Sequence, residues 1–248
     1  MDKIILITGG SRGIGKATAL KAAAQGYAVC INYRSNKKAA EQVVNEIVAA
    51  GGKAISIAAD VAREKEVITL FNIIDEKLGR ITALVNNAGI LEKQGLVVDT
   101  NADRLQRIFA ANVIGTFTCA REAVKRMGLQ YGGAGGAIVN VSSKAAAHGA
   151  PFEYVDYAAS KGAVDTFTLG LSKEVAGDGI RVNAVRPGII DTEIHITGGE
   201  PGRVARIGPS LPMKRGGTAE EVANTILWLL SDEASYVTGA LVDVAGGR

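Results

Sequence analysis

Along its hydrophobic and polar positions, the chain alternates short, nearly continuous apolar runs with longer stretches of helical period. The runs Ile4 to Thr8, Ala28 to Asn32, Ala54 to Ala58, Ala83 to Asn86, Ala137 to Ser142, Arg181 to Arg186 and Ala240 to Val244 predict about seven strands. Strands that lack polar alternation are buried on both faces, so the pattern predicts an α/β fold: a doubly wound parallel sheet with helices on both sides. No linker, composition shift or fixed repeat divides the chain, which reads as a single domain over residues 1–248. The run Gly132 to Gly136 precedes a strand and reads as a turn. One segment, 191–217, is crowded with glycines and prolines after the end of the sixth strand. It is a candidate lid over a pocket, with an ordinary surface loop as the alternative.

The first run leads directly into Thr8-Gly9-Gly10-Ser11-Arg12-Gly13-Ile14-Gly15, and a helical pattern follows. Glycines at a strand-to-helix turn let the backbone bend sharply and approach a pyrophosphate, whose charge meets the free N–H groups of the helix start. This is a Rossmann-type dinucleotide signal, although such a loop can also be a purely structural turn. Many NAD-binding units end their second strand with a carboxylate for the ribose, but this chain reads Asn32-Tyr33-Arg34-Ser35-Asn36. Arg34 and Arg12 could instead bracket a 2′-phosphate, which favours NADP and leaves NAD possible; the alternative is that the arginines are merely solvated.

Tyr157 and Lys161 stand one helical turn apart, so a phenol and an ammonium share a face. The spacing alone is weak, because Tyr33 and Lys37 match it too. Context separates the pairs: Tyr33 falls at a strand end, whereas Tyr157 opens a helical stretch preceded by the strand-end serines Ser142 and Ser143. A phenol, a lysine and a serine beside a dinucleotide suit proton transfer to or from a carbonyl oxygen. A free phenol titrates near pH 10, so Tyr157 needs the Lys161 ammonium and the oxidised nicotinamide to bring it toward working pH.

Composition narrows the partners. The net charge of +3 arises from 28 basic and 25 acidic residues spread along the chain, which argues against a nucleic-acid or membrane surface. No apolar stretch approaches the roughly 20 residues of a membrane span, and the amino terminus lacks a signal-peptide pattern, so a cytoplasmic location is expected. Cys30 and Cys119 lie in apolar stretches and read as reduced core residues. His148 and His195 fall in segments read as loops on the substrate side with no ligand grouping around them, so no metal is implied.

Together these motifs resemble the short-chain dehydrogenase/reductase family, small single-domain branch, and the resemblance runs from Lys3 to Gly247. Its further parts recur in order: Asp60-Val61, Asn86-Asn87-Ala88-Gly89, Asn112, Ser142-Ser143, Tyr157 with Lys161, and Arg186-Pro187-Gly188. The resemblance implies that Asp60 and Val61 contact adenine and that Asn87, Ala88 and Gly89 line the adenosine ribose. Pro187, Gly188, Ile190 and Thr192 would hold the nicotinamide end, while Asn86 ties strands together. It also implies a catalytic set of Asn112, Ser143, Tyr157 and Lys161, in which Asn112 holds a water linking the lysine to solvent. In the family the serine often stands one position closer to the tyrosine than Ser143 does here, so Ser142 and Ser143 both remain candidates, with Ser143 preferred.

The expected activity is NADP-preferring interconversion of a carbonyl and a secondary alcohol on a small molecule. The chain is similar both to 3-oxoacyl-[acyl-carrier-protein] reductases and to bacterial glucose dehydrogenases. Glu153 could accept hydrogen bonds from a polyol, and Phe152 and Tyr154 could pack an apolar ketone. A protein that binds NADP without turnover, as a sensor or scaffold, is the alternative of a different class. The family resemblance implies a homotetramer or homodimer packed through long helices and the last strand.

Overall fold

The computed structural model describes residues 3–248. Seven strands form one sheet: β1 (Ile4–Ile7), β2 (Ala28–Tyr33), β3 (Ala54–Ala58), β4 (Ala83–Asn86), β5 (Gly136–Val141), β6 (Ile180–Pro187) and β7 (Leu241–Val244). Their order is β3-β2-β1-β4-β5-β6-β7, and every pair is parallel. The helices are α1 (Gly13–Ala24), α2 (Lys37–Ala49), α3 (Glu64–Lys77), α4 (Ala102–Phe109), α5 (Gly115–Met127), α6 (Ala145–His148), α7 (Val155–Glu174), α8 (Ile194–Thr197), α9 (Arg203–Ile207) and α10 (Ala219–Leu230).

Strand periodicity divides the core between the two faces of the sheet. Ile5 and Ile7 of β1 face a cluster completed by α1, α2 and α10, with Ala22, Val43, Ile47, Val222 and Ile226 buried in it. Ile4 and Leu6 face a second cluster built by α3, α5 and α7 around Phe71, Ile74, Ala123 and Leu171. Each fully buried Ile, Leu or Val contributes roughly 1.5–3 kcal/mol, and this burial on both faces explains the lack of polar alternation in the strands. No helix among the described residues is long and apolar enough to cross a membrane.

Strand order reverses between β1 and β4, so the carboxyl ends of these strands part and leave a crevice. Two features shape it. The helix that follows β4 is continuous from α4 to α5 but widens into a π turn at Ala110–Ile114, which contains Asn112. The segment 191–217 leaves the end of β6 and returns to it, its ends joined by Asp191 N–H donating to the Gly217 carbonyl and Gly217 N–H to that of Ile189. Within that segment lie α8 and α9 rather than irregular chain. Tyr33 is the last residue of β2 and Lys37 the first of α2, so the second tyrosine–lysine pair does not share a helix face.

Candidate active site

The glycine loop between β1 and α1 is held by polar side chains from three neighbouring strand ends. Thr8 Oγ1 accepts from the N–H groups of Asn87 and Ala88, both at 3.0 Å. Asn87 Nδ2 donates to the carbonyls of Thr8 at 2.9 Å and Gly9 at 3.0 Å. Asn32 Oδ1 accepts from the Gly9 N–H at 3.4 Å, while its Nδ2 donates to the Ala59 carbonyl at 2.9 Å and ties the end of β2 to the chain after β3. Gly9 has φ +62° and Gly13 φ +51°, conformations that favour glycine. Gly15 serves packing instead: a Cβ there would come within 2.6 Å of both Asn87 Nδ2 and the Gly9 carbonyl oxygen.

One cavity of about 490 Å³ extends from this loop across the carboxyl ends of the strands. Arg12 lines it from the glycine loop, Arg34 and then Asp60 and Val61 from beyond the ends of β2 and the edge strand β3, and Ala88 and Gly89 from the end of β4. Pro187, Gly188, Ile190 and Thr192 lie beyond, together with Ser143, Tyr157 and Lys161. Of the residues expected to act in catalysis or cofactor binding, all but Gly15 and Asn112 line the cavity.

The chemistry-bearing side chains converge because α7 runs beside the ends of β5 and β6. At its start Asp156 accepts from the Tyr157 N–H at 2.8 Å and is bound by Arg104 of α4 at 2.5 Å, which holds the first turn. Lys161 is buried, and its Nζ donates to the Val141 carbonyl at 2.7 Å. Desolvation lowers its pKa to about 8, partly opposed by Asp165 one turn on. Desolvation likewise drives the Tyr157 phenol up to about 12, and the Ser143 hydroxyl offsets part of that rise. The expected depression of the phenol by Lys161 is therefore absent here: the ammonium is directed at the Val141 carbonyl, and desolvation dominates. Ser142 is buried and donates to the Lys161 carbonyl at 3.2 Å, whereas the Ser143 hydroxyl accepts from the Ala145 N–H at 3.1 Å.

Asn112 braces the site from behind. Its Oδ1 accepts from Ile90 N–H at 2.7 Å, and its Nδ2 donates to the Ile90 carbonyl at 3.1 Å and to Ser160 Oγ at 3.0 Å. A Cβ on Gly89 would stand 3.3 Å from Asn112 Oδ1 and 3.5 Å from Lys161 Nζ, so the glycine keeps the approach to the lysine open. Asn86 donates to Asn140 Oδ1 at 2.9 Å and ties β4 to β5, as expected.

At the far end, Leu91, Ala145, Tyr154 and Ile194 form an apolar patch with Tyr157. Nothing in the sequence singled out Leu91 or Ile194, which lie in segments without period. Three expectations are corrected here. Glu153 is not open to a polyol, because it is bound by Arg203 of α9, a residue buried against it and against Glu200. Phe152 does not line the cavity, and 81% of its surface is exposed. The histidines sit in short helices rather than loops: His148 ends α6, and His195 lies in α8, buried with Nε2 2.8 Å from the Ile190 carbonyl.

Comparison with known proteins agrees with this geometry. A family profile described as enoyl-(acyl carrier protein) reductase matches residues 9–248. An uncharacterized oxidoreductase of Escherichia coli, YgfF, is 60% identical over 245 residues, covering 99% of both chains. A 3-oxoacyl-[acyl-carrier-protein] reductase of Synechocystis is 41% identical, covering 99% of this chain and 96% of its own. Glucose 1-dehydrogenase 2 of Bacillus subtilis is 37% identical, covering 99% and 94%. Among solved structures, a short-chain dehydrogenase from Burkholderia cenocepacia in complex with NADP superposes with a TM-score of 0.90 at 32% identity, covering 99% of this chain and 97% of that one. A 3-ketoacyl-(acyl-carrier-protein) reductase from Brucella melitensis complexed with NADH gives 0.91 at 33%, covering 99% and 98%. The chain belongs to the short-chain dehydrogenase/reductase family and is an NAD(P)-dependent oxidoreductase.

Proposed function

We propose that the protein interconverts a carbonyl and a secondary alcohol by hydride transfer, prefers NADP, and uses Tyr157 as general acid and base. The observation that carries this reading is the convergence of Ser143, Tyr157 and Lys161 on one cavity whose other end is the glycine loop. The cavity suits a dinucleotide phosphate. Gly89 leaves a cradle over Lys161 that a side chain would fill, and Arg12 and Arg34 line the adenosine end with no carboxylate beside them at the close of β2. Gly9, Ser11, Gly13 and Ile14 would hold the pyrophosphate, with Arg12 and Arg34 on the 2′-phosphate.

When bound in its reduced form, the cofactor supplies the hydride that reaches the carbonyl carbon. Tyr157, with its pKa near 12, remains a neutral phenol at physiological pH and can give its proton to the carbonyl oxygen. Ser143 holds that oxygen; Ser142 is the weaker candidate because its hydroxyl is tied to α7. Lys161, with a pKa near 8, can pass a proton at neutral pH, and Asn112 fixes the Ile90 backbone above it. The segment 191–217 acts as a lid that closes the substrate end through Ile194 and Arg203. Reduction of a ketone is favoured over oxidation of a sugar, since Glu153 is bound by Arg203.

The assembly we expect is a homotetramer or homodimer. Ile114, Phe117 and Leu169 stand exposed on α5, α7 and the π turn, and Tyr236 lies fully exposed near β7.

The test is Tyr157→Phe. Consumption of NADPH with a panel of ketones and aldehydes, followed near 340 nm, should fall by at least about a hundredfold, while NADPH fluorescence titration is unchanged. Full activity in the variant would overturn the role of the phenol.

A further inference from the structure

Among the described residues, nine of the fourteen arginines form salt bridges. Arg80 and Arg181 donate to backbone carbonyls. Only Arg12, Arg34 and Arg248 make neither kind of contact, and all three line the same cavity. A guanidinium left unpaired beside a cavity is a ready site for an oxyanion. Arg12 and Arg34 are accounted for by the cofactor phosphate. Arg248 is not, because it belongs to the other end, beside His148 and Arg203.

We propose that the substrate carries an anionic group, a carboxylate or a phosphate, which seats on Arg248 and His148 while its carbonyl meets Tyr157. The inference rests on the reductase reading above and names the class of carbonyl compound that the site takes.

Three further observations support it. Desolvation and the nearby Arg203 lower the pKa of Arg248, with Glu153 opposing, and an anion seated beside it would favour its charged form. Glu153, the acidic group that it senses, is already bound by Arg203. His148 Nδ1 accepts from the Ala150 N–H at 3.1 Å, so the neutral ring carries its proton on Nε2 as a donor. Desolvation, reinforced by Arg248, lowers the pKa of His148 and keeps the ring neutral.

The loop that presents His148 is also strained. Ala150 has φ 43° and Phe152 φ 65°, left-handed conformations that residues with a Cβ adopt at a cost of order 1–3 kcal/mol. The strain falls in the short stretch between His148 and Tyr157, where it fixes the wall of the substrate end. Leu91, Ala145, Tyr154 and Ile194 offer an apolar surface there for the carbon skeleton. Arg248 and the Nε2 of His148 supply donors at this end, which suits an anion.

The test measures kcat/KM with NADPH for several oxo acids and their methyl esters, levulinate against methyl levulinate among them, and for dihydroxyacetone phosphate against dihydroxyacetone. Acids or the phosphate should exceed their neutral partners by at least about tenfold, and Arg248→Gln should collapse that ratio on the order of ten- to a hundredfold, mainly through KM. Arg248→Lys should restore part of it. Which of the two anions shows the larger ratio identifies the group. Equal rates for acid and ester, or a ratio unchanged in Arg248→Gln, would overturn the proposal. Calorimetric titration of NADPH-loaded protein with levulinate and with inorganic phosphate separates this inference from the reductase reading. Arg248-dependent binding without any turnover sinks the reductase reading and keeps the anion site. Turnover of neutral ketones with no binding of either anion does the reverse.

Discussion

Lys161 shows how a site residue can work against the fold that carries it. Its folded pKa, near 8, lies below the ordinary lysine value of 10.5, so the unfolded chain binds more protons between those values. Stability contributed at this position therefore rises with pH from about 8 to about 10.5 and is lowest below pH 8, where the buried ammonium must be kept charged. Lys161→Met should abolish turnover yet raise the stability of the cofactor-free protein at pH 7 by roughly 1–3 kcal/mol. Urea denaturation at pH 7 and again at pH 10 checks this, since the advantage of the variant should shrink at the higher pH. Arg34 offers a second residue-scale test. Arg34→Ala should weaken NADPH binding about ten- to a hundredfold, the worth of a charge-assisted contact, and leave NADH binding nearly unchanged in fluorescence titrations. Single residues were legible in the sequence where chemistry and spacing coincided, as at Tyr157 and Lys161. The direction of their pKa shifts was not, because desolvation depends on everything packed around them.

At the scale of elements, the π turn between α4 and α5 decides where Asn112 sits, and no period in the sequence marks it. Gly115, the first residue of α5, lies against the loop after β3: a Cβ there would stand 2.9 Å from Val61 Cγ2 and 3.1 Å from the Val61 carbonyl oxygen. Gly115→Ala should therefore destabilise the protein by about 1–3 kcal/mol despite the better helix propensity of alanine. The melting temperature should fall, and NADPH affinity with it, because Val61 borders the cavity. The strands were the most legible elements, for burial on both faces leaves a continuous apolar run that local sequence reports directly. By contrast, α8 and α9 were hidden in a segment rich in glycine and proline. Contacts between residues distant in sequence, such as Arg203 with Glu153, help to hold those short helices.

For the whole molecule, the exposed aromatic surface is the feature that folding alone does not explain. Phe117 stacks on Phe167 with ring centroids 3.8 Å apart yet remains half exposed, close in sequence to Ile114. Sedimentation should show a dimer or tetramer, and Phe117→Asp should shift it toward smaller species, because a charge placed in an apolar contact is left unpaired on association. A monomeric wild type would remove this expectation without touching the active site.

The sequence by itself determined the doubly wound sheet, the glycine loop and the tyrosine–lysine pair, since each is written in residues close together along the chain whose period or spacing reflects local geometry. Only the tertiary structure decided which polar groups remain available at the substrate end. Glu153 and Arg203, fifty positions apart, neutralise each other, while among the described residues Arg248 forms no salt bridge and lines the cavity with His148. The physical reason is that charge pairing and desolvation are settled by neighbours in space, which the order of residues along the chain does not disclose.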